Sequence, residues 1–308
     1  MNDERCKLCP RNCGADRRNG RGRCGAGAGM EVATVCIHRG EEPPLVPIVN
    51  VFFEHCNLGC IYCQNWQISG GTGNRDACDT ETLAARICDV FASLFSLSSG
   101  KPAPPMLGFV TAAHYADRLP AVVEAVRRRG WSPTVVYNSS GYESVETLRT
   151  LEGVVDVYLP DLKYMDRGLA AAYSHAADYP EVAAAALTEM RRQVGGGLAT
   201  DPDSGQALRG IIVRHLVLPG ATGNSIGCLE WLADHFNPFS LHLSLMAQYY
   251  PPKEGLPPPL DRTITEEEYR TVVDHAESLG LTSGWIQEMN AQANYRPDFD
   301  NPDNPFEP

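Results

Sequence analysis

Three cysteines stand close together in the run His55-Cys56-Asn57-Leu58-Gly59-Cys60-Ile61-Tyr62-Cys63-Gln64-Asn65, spaced C-x3-C-x2-C. They follow an apolar stretch, Ile48 to Phe53, that reads as a strand. Three thiolates on one short loop can hold three irons of a cubane [4Fe–4S] cluster and leave the fourth iron without a protein ligand. An ordinary electron-transfer cluster takes four cysteines. The open iron can be chelated by a small molecule that carries an amine and a carboxylate, and S-adenosylmethionine (SAM) offers both. Four more cysteines, Cys6, Cys9, Cys13 and Cys24, follow the spacing C-x2-C-x3-C-x10-C near the N-terminus. A segment so small and polar buries little surface, so a metal staple is expected there, either tetrahedral zinc or a second iron–sulfur cluster.

The chain has 308 residues, 43% hydrophobic and 21% charged, ordinary values for a globular enzyme with a full core. A formal charge of -12 argues against a nucleic-acid partner, although the N-terminal segment is locally basic. Met1 to Pro10 is polar and unlike a secretory signal, and no apolar run approaches the roughly 18 residues a membrane span needs. The eleven cysteines therefore point to metal ligation in a reducing cytoplasm, with no membrane partner.

Those cysteines need a scaffold. Residues 1–47 read as a Cys-rich appendage, with a strand at Val32–Ile37 and a linker-like turn at Glu41-Glu42-Pro43-Pro44. Residues 48–308 read as the core with an irregular acidic tail. Six apolar strands are expected at Ile48–Glu54, Met106–Thr111, Thr134–Asn138, Val154–Leu159, Ile211–Leu218 and Leu241–Gln248. Amphipathic helices lie between them. One is capped by Thr80, one has Pro180 in its first turn, and one opens with a Thr265/Glu268 capping box. Buried strands alternating with helices predict an α/β fold with a parallel sheet, and six strands suit a partial (β/α)6 TIM-like barrel. Ligands then gather at the C-terminal ends of the strands.

Polar residues close those strands: Thr111 to His114, Asn138 to Gly141, Asp161 to Lys163, Arg214-His215, and Met246 to Tyr249. His114, Asn138, Asp161 and Gln248 are candidates to hydrogen-bond the ribose, amine and carboxylate of SAM. Tyr62 is a candidate for its adenine face. Lys163, which can balance a carboxylate, and His215 are the candidate reacting groups. His55 and Glu54 read as packing of the cysteine loop.

Several runs resemble the radical SAM proteins related to pyruvate formate-lyase activating enzyme. They are Cys6 to Gly14, Gly40 to Pro44, Cys56 to Asn65, Tyr137 to Glu143, Tyr158 to Tyr164 and Arg214 to Gly220. The resemblance implies a radical SAM barrel, a [4Fe–4S] cluster on Cys56, Cys60 and Cys63, and SAM at the open iron. It implies reductive cleavage of SAM and abstraction of a hydrogen atom, with a glycine of a glycyl-radical enzyme as one target and a small molecule or another peptide site as the alternative. An electron donor such as flavodoxin or ferredoxin is implied with it. A non-catalytic iron–sulfur or zinc protein is the remaining alternative, and it leaves the three-cysteine arrangement unexplained. The chain departs from the pattern twice. Thr111 to His114 stands where a Gly-Gly-Glu-type motif is common, and no cysteine-rich insert separates Cys63 from Cys78.

Overall fold

The computed structural model describes residues 5–71, 77–96, 104–293, 296–301 and 305–306. Its frame is one mixed sheet. Seven strands run parallel in spatial order: β2 (Ile48–Phe53), β4 (Met106–Val110), β5 (Thr134–Ser139), β6 (Val157–Pro160), β8 (Ala207–Leu216), β9 (His242–Met246) and the short β10 (Gly284–Ile286). β1 (Met30–His38) runs antiparallel to β2 on the other edge and pairs with the two-residue β3 (Ala77–Cys78). A hairpin strand, β7 (Leu198–Thr200), pairs antiparallel with the start of β8.

Helices supply the connections. They are α1 (Trp66–Ser69), α2 (Thr80–Ser96), α3 (Leu119–Arg128), α4 (Val145–Thr150), α5 (Arg167–Ser174), α6 (Tyr179–Val194), α7 (Thr222–His235) and α8 (Glu266–Ser278). Their starts follow local chemistry. Pro180 occupies the first turn of α6, where a missing N–H costs nothing. Thr265 and Glu268 form the reciprocal capping box of α8. At α2 the cap is Asp79 and not Thr80: its carboxylate accepts from Thr82 N at 2.7 Å. Among the described residues no helix is long and apolar enough to cross a membrane.

The six expected strands are all present, with two starts shifted by more than one residue. β6 begins at Val157 because Val154 and Val155 still hydrogen-bond back to Leu151 O. β8 begins at Ala207 because the hairpin with β7 extends it. The N-terminal expectation included a strand at Val32–Ile37; that strand is β1, and its ladder with β2 ties it into the main sheet.

Strand alternation divides the core. Val49, Val51, Phe53, Leu107, Phe109, Val135, Tyr137, Tyr158, Ile211, Val213, Leu243 and Leu245 belong to the large apolar cluster shared with the helices. The alternate residues Ile48, Met106, Val136, Val157, Leu159 and Ile212 form a second cluster with Leu45. Leu45 arrives on the segment joining β1 to β2, so that segment closes the inner face near the N-terminal ends of the strands. Inner-facing residues of β2, β4, β5, β6, β8 and β9 all line one cavity, which means that the sheet curls around it. This is the partial (β/α)6 barrel that the alternating pattern predicts, extended by β10.

Candidate active site

The cavity has a volume of about 190 Å³. A single buried water needs roughly 10–15 Å³ on the same measure, so the space is that of a ligand and not of a few waters. Cys56, Cys60 and Cys63 line it together with Tyr62, Asn138, Asp161, Lys163 and Gln248. Those residues come from the loop after β2 and from the C-terminal ends of β5, β6 and β9, the edge where open parallel sheets bind ligands. Two glycines make this convergence possible. A Cβ on Gly108 of β4 would lie 1.9 Å from Asn50 Oδ1, so only glycine leaves room for that inward amide. Gly141 sits at φ +77°, and a Cβ there would lie 2.3 Å from Asp161 O.

The cysteine loop is held by its backbone. Ile61 N donates to Tyr173 O of α5 (2.8 Å), and the Asn57 amide donates to Tyr142 O (2.8 Å). Arg11 donates to Asn57 O (2.9 Å), Leu58 O (3.0 Å), Ser174 O (3.1 Å) and His175 O (2.5 Å), with its guanidinium 4.9 Å from the Tyr142 ring centroid. His55 adopts φ +75° immediately before Cys56. Its Nε2 meets Glu31, which is also paired with Arg21 at 2.9 Å. The N-terminal segment thus grips the outside of the cysteine loop through three of its residues or their partners.

Electrostatics bear on what the thiols hold. Burial pushes Cys63 up to about 12, with the neighbouring Cys60 and Cys56 adding to it. Burial also raises Cys60, opposed by Lys163. Cys60 and Cys63, partly buried side by side, resist ionisation unless positive charge joins them, and a bound metal supplies it. The donor set therefore fits a metal cluster on Cys56, Cys60 and Cys63. Among the described residues no three His, Cys, Asp or Glu side chains are gathered for a single metal ion. Cys13 and Cys24 both bring their sulfurs within 3.8 Å of the point where a Cβ on Gly22 would stand. Even so, nothing there assembles a one-ion site for zinc at Cys6, Cys9, Cys13 and Cys24.

A charged network crosses the cavity. Lys163 Nζ lies 2.5 Å from Asp161 Oδ2. Burial works against the Lys163 charge, but Asp161 and Cys60 outweigh it and hold the pKa above its ordinary value. Arg214 Nη2 is 3.2 Å from Glu41 Oε1, and its Nε is 3.3 Å from Glu42 Oε1, out of line for a hydrogen bond. Burial opposes the Glu41 charge, while Arg214 and His38 hold its pKa down. Burial and the nearby Glu41 push Glu42 up. Ser244 Oγ donates to Glu42 at 2.8 Å. Gln248 donates to Glu41 and Gln64 (3.3 Å each) and accepts from Gln287 at 2.8 Å.

The expected site residues separate into two groups. Tyr62, Asn138, Asp161, Lys163 and Gln248 come together at the cavity with the three cysteines. His114 and His215 do not. His114 is buried beside Phe53, His55 and Tyr115, donates to Glu54 O at 2.9 Å, and is driven to about 3 by burial. The chain turns into a 3-10 helix at Ala113, which carries the ring away from the cavity. His215 faces the helix layer, since it alternates with the inward Arg214 and Leu216. Glu41 and Glu42 are not a linker: they are buried ion-pair partners of Arg214. Their Glu-Glu-Pro-Pro sequence is turn chemistry, and it carries no local sign of the partner on β8.

No family model matches the chain. An uncharacterised protein of Methanocaldococcus jannaschii, MJ0674, is 28% identical over 288 residues, which is 90% of this chain and 75% of that protein. Among solved structures, native anSMEcpe with bound AdoMet overlaps at TM-score 0.46 and 10% identity, over 72% of this chain and 56% of that one. Native anSMEcpe with bound AdoMet and Kp18Cys peptide overlaps at TM-score 0.44 and 11% identity, over the same shares. This chain spans little more than half the length of those solved proteins.

Proposed function

We propose that the protein is a radical SAM enzyme. The observation that carries this reading is the placement of Cys56, Cys60 and Cys63 around one cavity that Asn138, Asp161 and Lys163 also face. Cys56, Cys60 and Cys63 would hold a [4Fe–4S] cluster, and the adjoining cavity residues would hold SAM. When bound, this pair supplies one-electron reductive cleavage of the sulfonium and abstraction of a hydrogen atom from a substrate.

The chain's own residues bind and orient. Lys163, kept protonated by Asp161, would pair with the carboxylate of SAM. Asn138 and Asp161 offer hydrogen bonds to its polar groups, and the Tyr62 ring offers an aromatic face. Leu45, packed against Ile48 and Met106 at the N-terminal ends of the strands, closes the cavity to water on that side. The finer assignment, abstraction from a glycine of a partner glycyl-radical enzyme with a flavodoxin or ferredoxin as donor, rests on the sequence resemblance alone.

Protein reconstituted with iron and sulfide under anaerobic conditions is expected to form 5′-deoxyadenosine from SAM and dithionite. Cys60→Ala is expected to reduce that product to background. Undiminished product from the variant would sink the assignment. Deuterium transfer from labelled candidate substrates into 5′-deoxyadenosine identifies the hydrogen donor.

A further inference from the structure

We infer that Ser174 tunes the reduction potential of the cluster held by Cys60, through a chain of buried hydroxyls; the inference rests on the functional reading above. Ser174 Oγ donates to Cys60 Sγ at 3.0 Å. The Ser174 and Tyr164 hydroxyls are 2.8 Å apart, and the Tyr164 and Tyr62 hydroxyls are 2.6 Å apart. Ser174 and Tyr164 have no exposure and Tyr62 has 5%. The chain begins on a cysteine of the loop and ends on a tyrosine two residues further along the same loop.

Its position is set by α5. Ser174 is the last residue of that helix, and His175 then turns away at φ 52°. Arg11 joins the Ser174 and His175 carbonyls to those of Asn57 and Leu58, and Ile61 N binds Tyr173 O. The hydroxyl is therefore fixed relative to the sulfur and not merely near it. Burial at the helix end does not by itself require a polar group here. A serine hydroxyl in this place would otherwise bond a backbone carbonyl of its own helix.

Reduction adds one electron to the cluster and breaks no bond, with dithionite as the reductant. The added negative charge spreads over the sulfurs. An O–H dipole aimed at a ligating sulfur stabilises the reduced state more than the oxidised one, and hydrogen bonds to sulfur are among the known determinants of cluster potential. Each hydroxyl carries one proton, so Tyr164 strengthens the terminal bond when its proton goes to Ser174 and its own oxygen accepts from Tyr62.

The test is the midpoint potential of the reconstituted cluster, read by EPR during a dithionite titration. Ser174→Ala is expected to move it more negative, by about tenfold less reduced cluster at a fixed ambient potential, or roughly 59 mV for one electron. Ser174→Thr, which keeps the hydroxyl, is expected to restore it. Tyr164→Phe is expected to shift it in the same direction by less. A wild-type potential in Ser174→Ala overturns the inference. Should Ser174→Ala take up no cluster, a wild-type potential in Tyr164→Phe overturns it instead. Wild-type protein that assembles no four-iron cluster would defeat the functional reading rather than this inference.

Discussion

Arg214 and His215 are consecutive residues of β8, and they lead different lives. Arg214 points into the cavity and meets Glu41, Glu42 and, at 4.0 Å, Asp161. His215 points into the helix layer. There its Nδ1–H donates to Leu162 O (2.6 Å), and its Nε2 accepts from the Ser225 hydroxyl of α7 (2.8 Å). Both are almost fully buried. The difference is in how each is satisfied. The histidine is neutral with one partner for each nitrogen, which is the economical way to bury a polar ring. The arginine is an ion among ions, an arrangement that usually costs more than it returns in stability. On one strand, then, the helix face is built for cohesion and the cavity face retains charge beside a ligand space.

If that contrast is right, removing charge from the inner face has the largest effect. Arg214→Ala strands two buried carboxylates. It is expected to lower stability by about 3–5 kcal/mol, the usual result of breaking a buried pair by removing one partner. Denaturant unfolding measures it. Replacing Arg214, Glu41 and Glu42 together with apolar residues of similar volume is expected to restore much of that loss, because no charge is left behind. A triple variant no more stable than the single one would show that the network is needed for packing, and the contrast between faces would fail.

His215 predicts a smaller effect with a pH signature. Burial drives its pKa to about 4, below the roughly 6.5 of an unfolded histidine. The neutral ring is the form the fold favours. Its contribution is complete above about pH 6.5 and is lost as pH falls toward 4, up to about 3 kcal/mol at the bottom of that window. His215→Phe is expected to cost about 1–3 kcal/mol at pH 7 by leaving Leu162 O and Ser225 without their partner, and to flatten the acid limb. Its yield of 5′-deoxyadenosine per loaded cluster is expected to match the unaltered protein. A steep loss of product would place His215 in the chemistry, which its orientation argues against.

The same alternation explains what was legible in the sequence. The strands showed as apolar runs because both faces are buried, and the cysteine loop showed because its spacing is local. Parity of neighbours would have separated Arg214 from His215, since Ile212 and Leu216 share the arginine's face. Which face was inner could not be read from one strand. His114 lies off the cavity for a different reason, because the chain leaves the strand at Thr111 with φ 47° and the alternation stops. Glu41 and Glu42 find their partner far along the chain, and no local pattern announces it. β10 spans three residues opening on Gly284, too short to show a period.

The outer layer also yields the smallest expected effect. Thr265 accepts from Glu268 N at 3.1 Å, and the Glu268 carboxylate accepts from Thr265 N at 2.8 Å and from Gly220 N at 2.7 Å. Arg262 pairs with the same carboxylate at 2.7 Å. Thr265→Ala removes one acceptor from the start of α8 and leaves the Glu268 contacts available, so a loss of about 1 kcal/mol is expected. The cap stands on a helix that packs against α7 on the outside of β9. Cluster content and product formation should therefore stay at their original values while the unfolding midpoint drops. If the cap change altered the cluster's EPR signal, the helix layer would be coupled to the cavity, and the division of labour seen across Arg214 and His215 would not extend along the sheet.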